Sequence, residues 1–188
     1  MSDIDDELTA GYRRFRTEHW PAARAEYEAL AELGQKPHTL IVACSDSRAD
    51  PALIFDAAPG QLHGVSAALE FGVKVLNVRR IVVMGHAHCG GVDAMLNGAP
   101  DICADFVAPW VAQGSAVVRR VAEEVSEDQV EGAAEEAVVR LSIENLRTFP
   151  WIAEREAAGE LTLTGLHFGI ADGVLRALTN KPRFEPLA

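Results

Sequence analysis

Two hydrophobic rhythms alternate along this chain. Thr39-Leu40-Ile41-Val42-Ala43 and Ile81-Val82-Val83-Met84 are unbroken runs of aliphatic and β-branched residues. Such runs read as buried strands of a parallel sheet. Leu161 to Phe168 instead alternates apolar and polar residues, as a strand does, and Val174-Leu175 after the Asp172-Gly173 turn predicts one more strand. The stretches between follow the helical period. Asp5 to about Leu33 reads as two helices broken at Pro21, with Phe15, Trp20, Tyr27, Leu30 and Leu33 as apolar positions, Gly34 at the end and Pro37 soon after. Asp50-Pro51 starts a short helix through Phe55 that stops at Pro59-Gly60. Val65, Leu69 and Val73 recur about once per turn in a helix from Val65 to Val75. Further helices are expected from Gly91 to Leu96, from about Phe106 to Val125, from about Asp128 to Arg147 (with Val138, Leu141 and Leu146 apolar), and from Pro150-Trp151. Strands separated by helices predict one α/β domain over residues 1–188, with a mostly parallel central sheet flanked by helices.

Composition narrows the class. With 188 residues, 48% of them hydrophobic, the chain can bury a real core. Its net charge is -11 and its pI about 4.9, with no Lys/Arg cluster. Neither nucleic acid nor an anionic membrane is therefore an expected partner. No apolar stretch approaches the roughly 20 residues of a membrane span. Met1-Ser2-Asp3-Ile4-Asp5-Asp6-Glu7 is acidic and lacks the apolar core of a secretory signal, so a cytoplasmic location is expected. Three cysteines cannot all pair, and in a reducing compartment clustered Cys and His favour a metal over a disulfide.

The chemistry concentrates in two clusters, each directly after a predicted strand: Cys44-Ser45-Asp46-Ser47-Arg48 and His86-Ala87-His88-Cys89-Gly90-Gly91. Open α/β sheets place their sites at the carboxyl ends of strands. Thiolate sulfur and imidazole nitrogen are zinc donors, so Cys44, His86 and Cys89 are the candidate metal ligands. His86 is preferred to His88 because it lies nearer the strand end, and His88 points elsewhere if this piece is extended. Cys103, in the loop Asp101-Ile102-Cys103-Ala104-Asp105, is expected to be an unligated thiol. The fourth position falls to Asp46 or to water, and an open or carboxylate-held fourth position marks a catalytic zinc. Asp46 and Arg48 share a face of an extended segment, where the guanidinium would keep the carboxylate ionised and oriented. Asp46 and Arg48 are thus the catalytic candidates. The backbone N–H groups of Gly90 and Gly91, where a helix begins, could hold an anionic substrate. Trp20, Trp110 and Trp151 read as core or interface anchors, and His63 and His167 as packing or surface residues. Glu123, Glu124, Glu127 and Asp128 read as a solvated helix end.

Together these residues resemble a bacterial β-class carbonic anhydrase over nearly the whole chain. The likeness runs from Gly34-Gln35-Lys36-Pro37 through the Cys44–Arg48 cluster, Pro51, Ile54-Phe55 and Pro59-Gly60. It resumes at Leu69-Glu70-Phe71-Gly72-Val73 and continues through Ile81 to His86 and Cys89-Gly90-Gly91. The resemblance implies one zinc ion per chain on Cys44, His86 and Cys89, with Asp46 replacing water as fourth ligand in a resting form. It implies reversible hydration of carbon dioxide to bicarbonate and a proton. It also implies a homodimer or homotetramer, with the helical arm of residues 1–34 packed on a partner subunit. The same motifs would serve a hydrolase of carbon disulfide or carbonyl sulfide. A zinc-stabilised binding module without turnover is the alternative from another class.

Two departures stand out. Family members carry roughly twenty further residues after the Pro-Gly turn, whereas here Pro59-Gly60-Gln61-Leu62 runs straight into His63-Gly64-Val65. Either the chain lacks this element, which would put the substrate pocket and the dimer in doubt, or a segment is missing between flanks that resemble the two ends of an ordinary member. The second is favoured, and a Cα separation well beyond about 3.8 Å at Leu62-His63 or one bond either side would show it. Some bacterial members hold noncatalytic bicarbonate with a Trp three residues before the first zinc Cys. Here that residue is Ile41, so no such site is expected.

Overall fold

The structure is a computed structural model, and it describes residues 6–34, 36–55, 62–63 and 67–187. Its strands are β1 (Thr39–Ala43), β2 (Leu62–His63), β3 (Arg80–His86), β4 (Thr162–Phe168), β5 (Leu175–Ala177) and β6 (Glu185–Pro186). They form one sheet in the order β2-β1-β3-β4-β5-β6. The first four are parallel, β5 runs antiparallel to β4, and β6 runs antiparallel to β5. Because β2 and β3 lie on opposite sides of β1, the winding direction reverses between β1 and β3. That is the switch point at which open α/β sheets bind ligands.

The apolar runs split between two faces with period two. Leu40, Ile81 and Val83 meet Val139, Ile143 and Leu146 of α7 (Val130–Arg147) on one face. Ile41, Val82, Met84 and Leu166 cluster on the other, with Ile54 and Phe55 packed against them. A third cluster joins α5 (Gly90–Asn97), α6 (Val107–Glu124) and α7 through Met95, Val111, Val118 and Ala134. Two glycines let α7 lie close on the sheet. A side-chain carbon at Gly85 of β3 would sit 2.7 Å from Val139 Cγ2, and one at Gly165 of β4 2.9 Å from Ile143 Cδ1. Any larger residue would force Val139 or Ile143 to shift.

The arm differs from expectation at Pro21. Helix α1 (Asp6–Arg14) does not break there; it passes through a π-helical turn, Phe15–His19, into α2 (Trp20–Leu33), with Pro21 in the first turn of α2. Proline has no N–H to donate, and the widened turn closes with the Trp20 N–H donating to the Phe15 carbonyl. No residue of α2 is buried. Phe15, Trp20 and Tyr27 pack on one another instead, with ring centroids 5.2–6.3 Å apart.

The Leu62–His63 step is continuous, and the bonds on either side of it lie outside the described residues. Leu62 and His63 are consecutive residues of β2, pairing in register with Thr39 and Leu40. The helix expected from Val65 is α4 (Ala67–Lys74). Val65 itself, the Pro59-Gly60 turn and the His63 side chain lie outside the described residues. The remaining helices are α3 (Pro51–Ile54) and α8 (Pro150–Ala157). No helix among the described residues is long and apolar enough to cross a membrane.

Candidate metal centre

The two clusters meet because their strands are neighbours, with Ala43 of β1 opposite Met84 of β3. One ligand atom from each of Cys44, His86 and Cys89 lies within 4.8 Å of the others, a spacing that can hold a metal ion. His86 is almost fully buried at the end of β3. Its Nδ1 faces the Ala87 carbonyl at 2.9 Å, so that nitrogen carries the proton and Nε2 offers its lone pair. Nε2 is buried with no hydrogen-bond partner. An orphaned imidazole nitrogen between two thiols is what a soft-donor metal site looks like from the ligand side, and zinc suits this donor set.

Asp46 caps the short 3-10 turn Ser47–Ala49, accepting from the Arg48 backbone N–H at 2.9 Å. The Arg48 guanidinium grips the same carboxylate with two bonds, Nε to Oδ1 at 3.0 Å and Nη2 to Oδ2 at 2.7 Å. Those hydrogen bonds hold the Asp46 carboxyl well below the usual carboxylate range. Oδ2 of Asp46 stands 3.7 Å from His86 Nε2, so the carboxylate already faces the metal position. Arg48 Nη2 also donates to the His88 carbonyl at 3.2 Å, which ties the two strand ends together.

The second cluster is not extended. His88 takes a left-handed backbone, φ 56°, which turns the chain and brings Cys89 back toward the site. The His88 ring points outward to Glu131 Oε1 at 3.1 Å and lies outside the ligand group, as does Cys103. Cys89 caps α5, and burial pushes its thiol above the ordinary value, while the N–H groups of Val92 and Gly91 pull it back. Gly90 opens the helix with open space where a side chain would be.

A cavity of about 170 Å³ lies against the three ligands, walled by apolar side chains including Val42, Met95, Trp110 and Val138. Trp110 is more than half exposed and covers Gly91 at the cavity's edge, whereas Trp151 packs against the main core. Two buried residues in this region carry no local signature. Glu135 of α7 lines the cavity and accepts from the Cys89 N–H, and His167 of β4 meets Glu135 at 2.8 Å. The packing role expected for His167 is correct as far as it goes, but the ring also makes a buried hydrogen bond with Glu135. The one available hint was a pair of acids, Glu135-Glu136, inside the otherwise apolar stretch from Ala133 to Val139. Ile41, at the position of the bicarbonate-site Trp, is buried among Val82, Met84 and Leu166.

An open sheet with a thiol–imidazole group at its switch point defines an α/β protein with a candidate metal centre. Residues 39–175 match the family described as carbonic anhydrase. A carbonic anhydrase of Pseudomonas aeruginosa is 34% identical over 207 residues, covering 97% of this chain and 90% of its own length. Since 97% of 188 residues is about 182, about 25 positions of that alignment have no residue of this chain opposite them. The solved β-carbonic anhydrase CcaA superposes with a TM-score of 0.89 at 26% identity, covering 96% of this chain and 98% of its own. A structure from work on two tetrameric β-carbonic anhydrases of Sordaria macrospora superposes with a TM-score of 0.72 at 28% identity, covering 92% of each chain. The chain belongs to the carbonic anhydrase family, in its β class, and is a lyase.

Proposed function

We propose that this chain hydrates carbon dioxide reversibly to bicarbonate and a proton, using one zinc ion held by Cys44, His86 and Cys89. The observation that carries this reading is the buried, unpartnered Nε2 of His86 set between two thiols, with a clamped carboxylate 3.7 Å away. When bound there, zinc supplies Lewis acidity and makes water nucleophilic at neutral pH.

The protein's part is to bind, orient and handle the proton. Arg48 keeps Asp46 ionised and aimed, so that Oδ2 either accepts a hydrogen bond from the attacking water or occupies the fourth ligand position. The apolar walls of the cavity suit a small uncharged substrate, and the open space at Gly90 leaves room for bicarbonate beside Cys89.

Residues 1–188 form a single zinc-dependent α/β domain in this reading. The arm of residues 1–34 packs on a second copy in a homodimer or homotetramer, supported by its uncovered aromatic face and by the tetrameric relatives. The acidic chain works in the cytoplasm, without nucleic acid or membrane partners. Ile41 supports the absence of a noncatalytic bicarbonate site, and clear sigmoidal activation by bicarbonate would overturn that part. Stopped-flow hydration at about pH 8.5, with zinc measured on the same sample, tests the whole. Fast turnover that disappears when zinc is chelated is expected, whereas full zinc occupancy with no turnover would sink the enzyme reading.

A further inference from the structure

Glu135 and His167 are nearly fully buried, at 3% and 6% exposure, and lie on different elements 32 residues apart. Burying a carboxylate beside an apolar cavity is costly, and an aliphatic residue of similar size would pack there without that cost. Its two oxygens divide their work. Oε1 accepts from the backbone N–H of Cys89 at 3.2 Å, and Oε2 meets His167 Nε2 at 2.8 Å. The other ring nitrogen of His167 is buried without a hydrogen-bond partner among the described residues, so Glu135 is the ring's one polar attachment there. Gly85 and Gly165 leave room for α7 side chains against β3 and β4, the strands that carry the His86 end and His167.

We infer that Glu135 and His167 are a positioning pair for the Cys89 thiolate. His167 fixes the carboxylate, and the carboxylate fixes the peptide that aims Cys89 at the metal. Arg48 does the equivalent for the exposed cluster through Asp46, so each strand end has its own carboxylate anchor. The inference rests on the zinc reading above. Partners that orient metal ligands are worth about 10- to 100-fold in metal affinity when removed.

The test is zinc affinity by chelator competition, together with the thiolate-to-cobalt charge-transfer spectrum of the Co(II)-loaded full chain. Melting of the apoprotein serves as the fold control. Glu135→Ala is expected to bind zinc about 10- to 100-fold more weakly and to shift the cobalt band. Glu135→Gln, which keeps an acceptor for the Cys89 N–H, should restore most of the affinity. His167→Ala should act in the same direction as Glu135→Ala, and the double variant should be no worse than Glu135→Ala, since the pair acts as one unit. A folded Glu135→Ala protein with wild-type zinc affinity and cobalt spectrum would overturn the inference alone. Should that variant fail to fold, wild-type affinity and spectrum in His167→Ala would overturn it equally. No zinc on the unsubstituted chain would overturn the zinc reading and this one with it.

Discussion

The two strand ends that form the site are built in opposite ways. The end of β1 is open to solvent. Cys44 is exposed, and Asp46 is held by its own neighbour, Arg48, through three bonds made within two residues of sequence. The end of β3 is buried. His86 is almost fully covered, and Cys89 is steadied from behind by a carboxylate 46 residues away on α7. The comparison separates two jobs. The locally tied end can rearrange without disturbing the core, which suits a carboxylate that exchanges with water. The end tied through tertiary packing cannot, which suits ligands that must stay put.

The largest effect that would test this contrast is His86→Ala. It should abolish zinc binding and hydration, and also lower the stability of the apoprotein by about 2 kcal/mol or more, because a buried ring is lost from the core. Cys44→Ser should lose zinc while leaving the apoprotein's melting temperature nearly unchanged. Equal destabilisation of the two apoproteins would erase the distinction. A smaller effect is expected of Asp46→Asn. Zinc content should stay at one per chain while hydration falls by about 100-fold or more, the size of a lost proton-handling group. Loss of zinc from this variant would make Asp46 an obligatory ligand and would break the separation of roles. The smallest effect lies away from both ends, where Arg147 holds Glu156 by a pair of 2.9 Å bonds. The guanidinium lowers the Glu156 pKa, so this pair's stabilisation is complete above the ordinary carboxylate range. It fades as pH falls through the lowered value. Arg147→Ala should therefore cost at most about 1 kcal/mol at pH 7, since the pair is partly exposed, and the cost should vanish in acid. A cost that persisted at low pH would assign the residue a packing role instead.

Much of the site was legible because its information is local. Each ligand cluster follows an apolar run whose strand type is plain from composition, and the order of those runs with intervening helices already implies parallel neighbours. What escaped the sequence was information carried across the fold. Glu135 and His167 look unremarkable in their own segments and acquire a role only when α7 settles on β3 and β4. Nothing in His86-Ala87-His88 announces the left-handed residue at His88 that shapes the turn, so the sequence leaves the path of this piece open. Pro21 was read as a break, yet a π-helical turn absorbs the missing donor and the helix continues. Strand β2 is too short, at two residues, to show any period.

The uncovered arm has a consequence for how this protein behaves on dilution. With none of its residues buried, α2 gains little from packing on its own domain, and tertiary packing is what supplies most helical stability in water. If a second copy provides the cover, the arm's order follows mass action, and its helicity reports how much protein surrounds it. Concentration then becomes a structural variable, and the catalytic domain and its arm would melt as one transition in concentrated solution and as two in dilute.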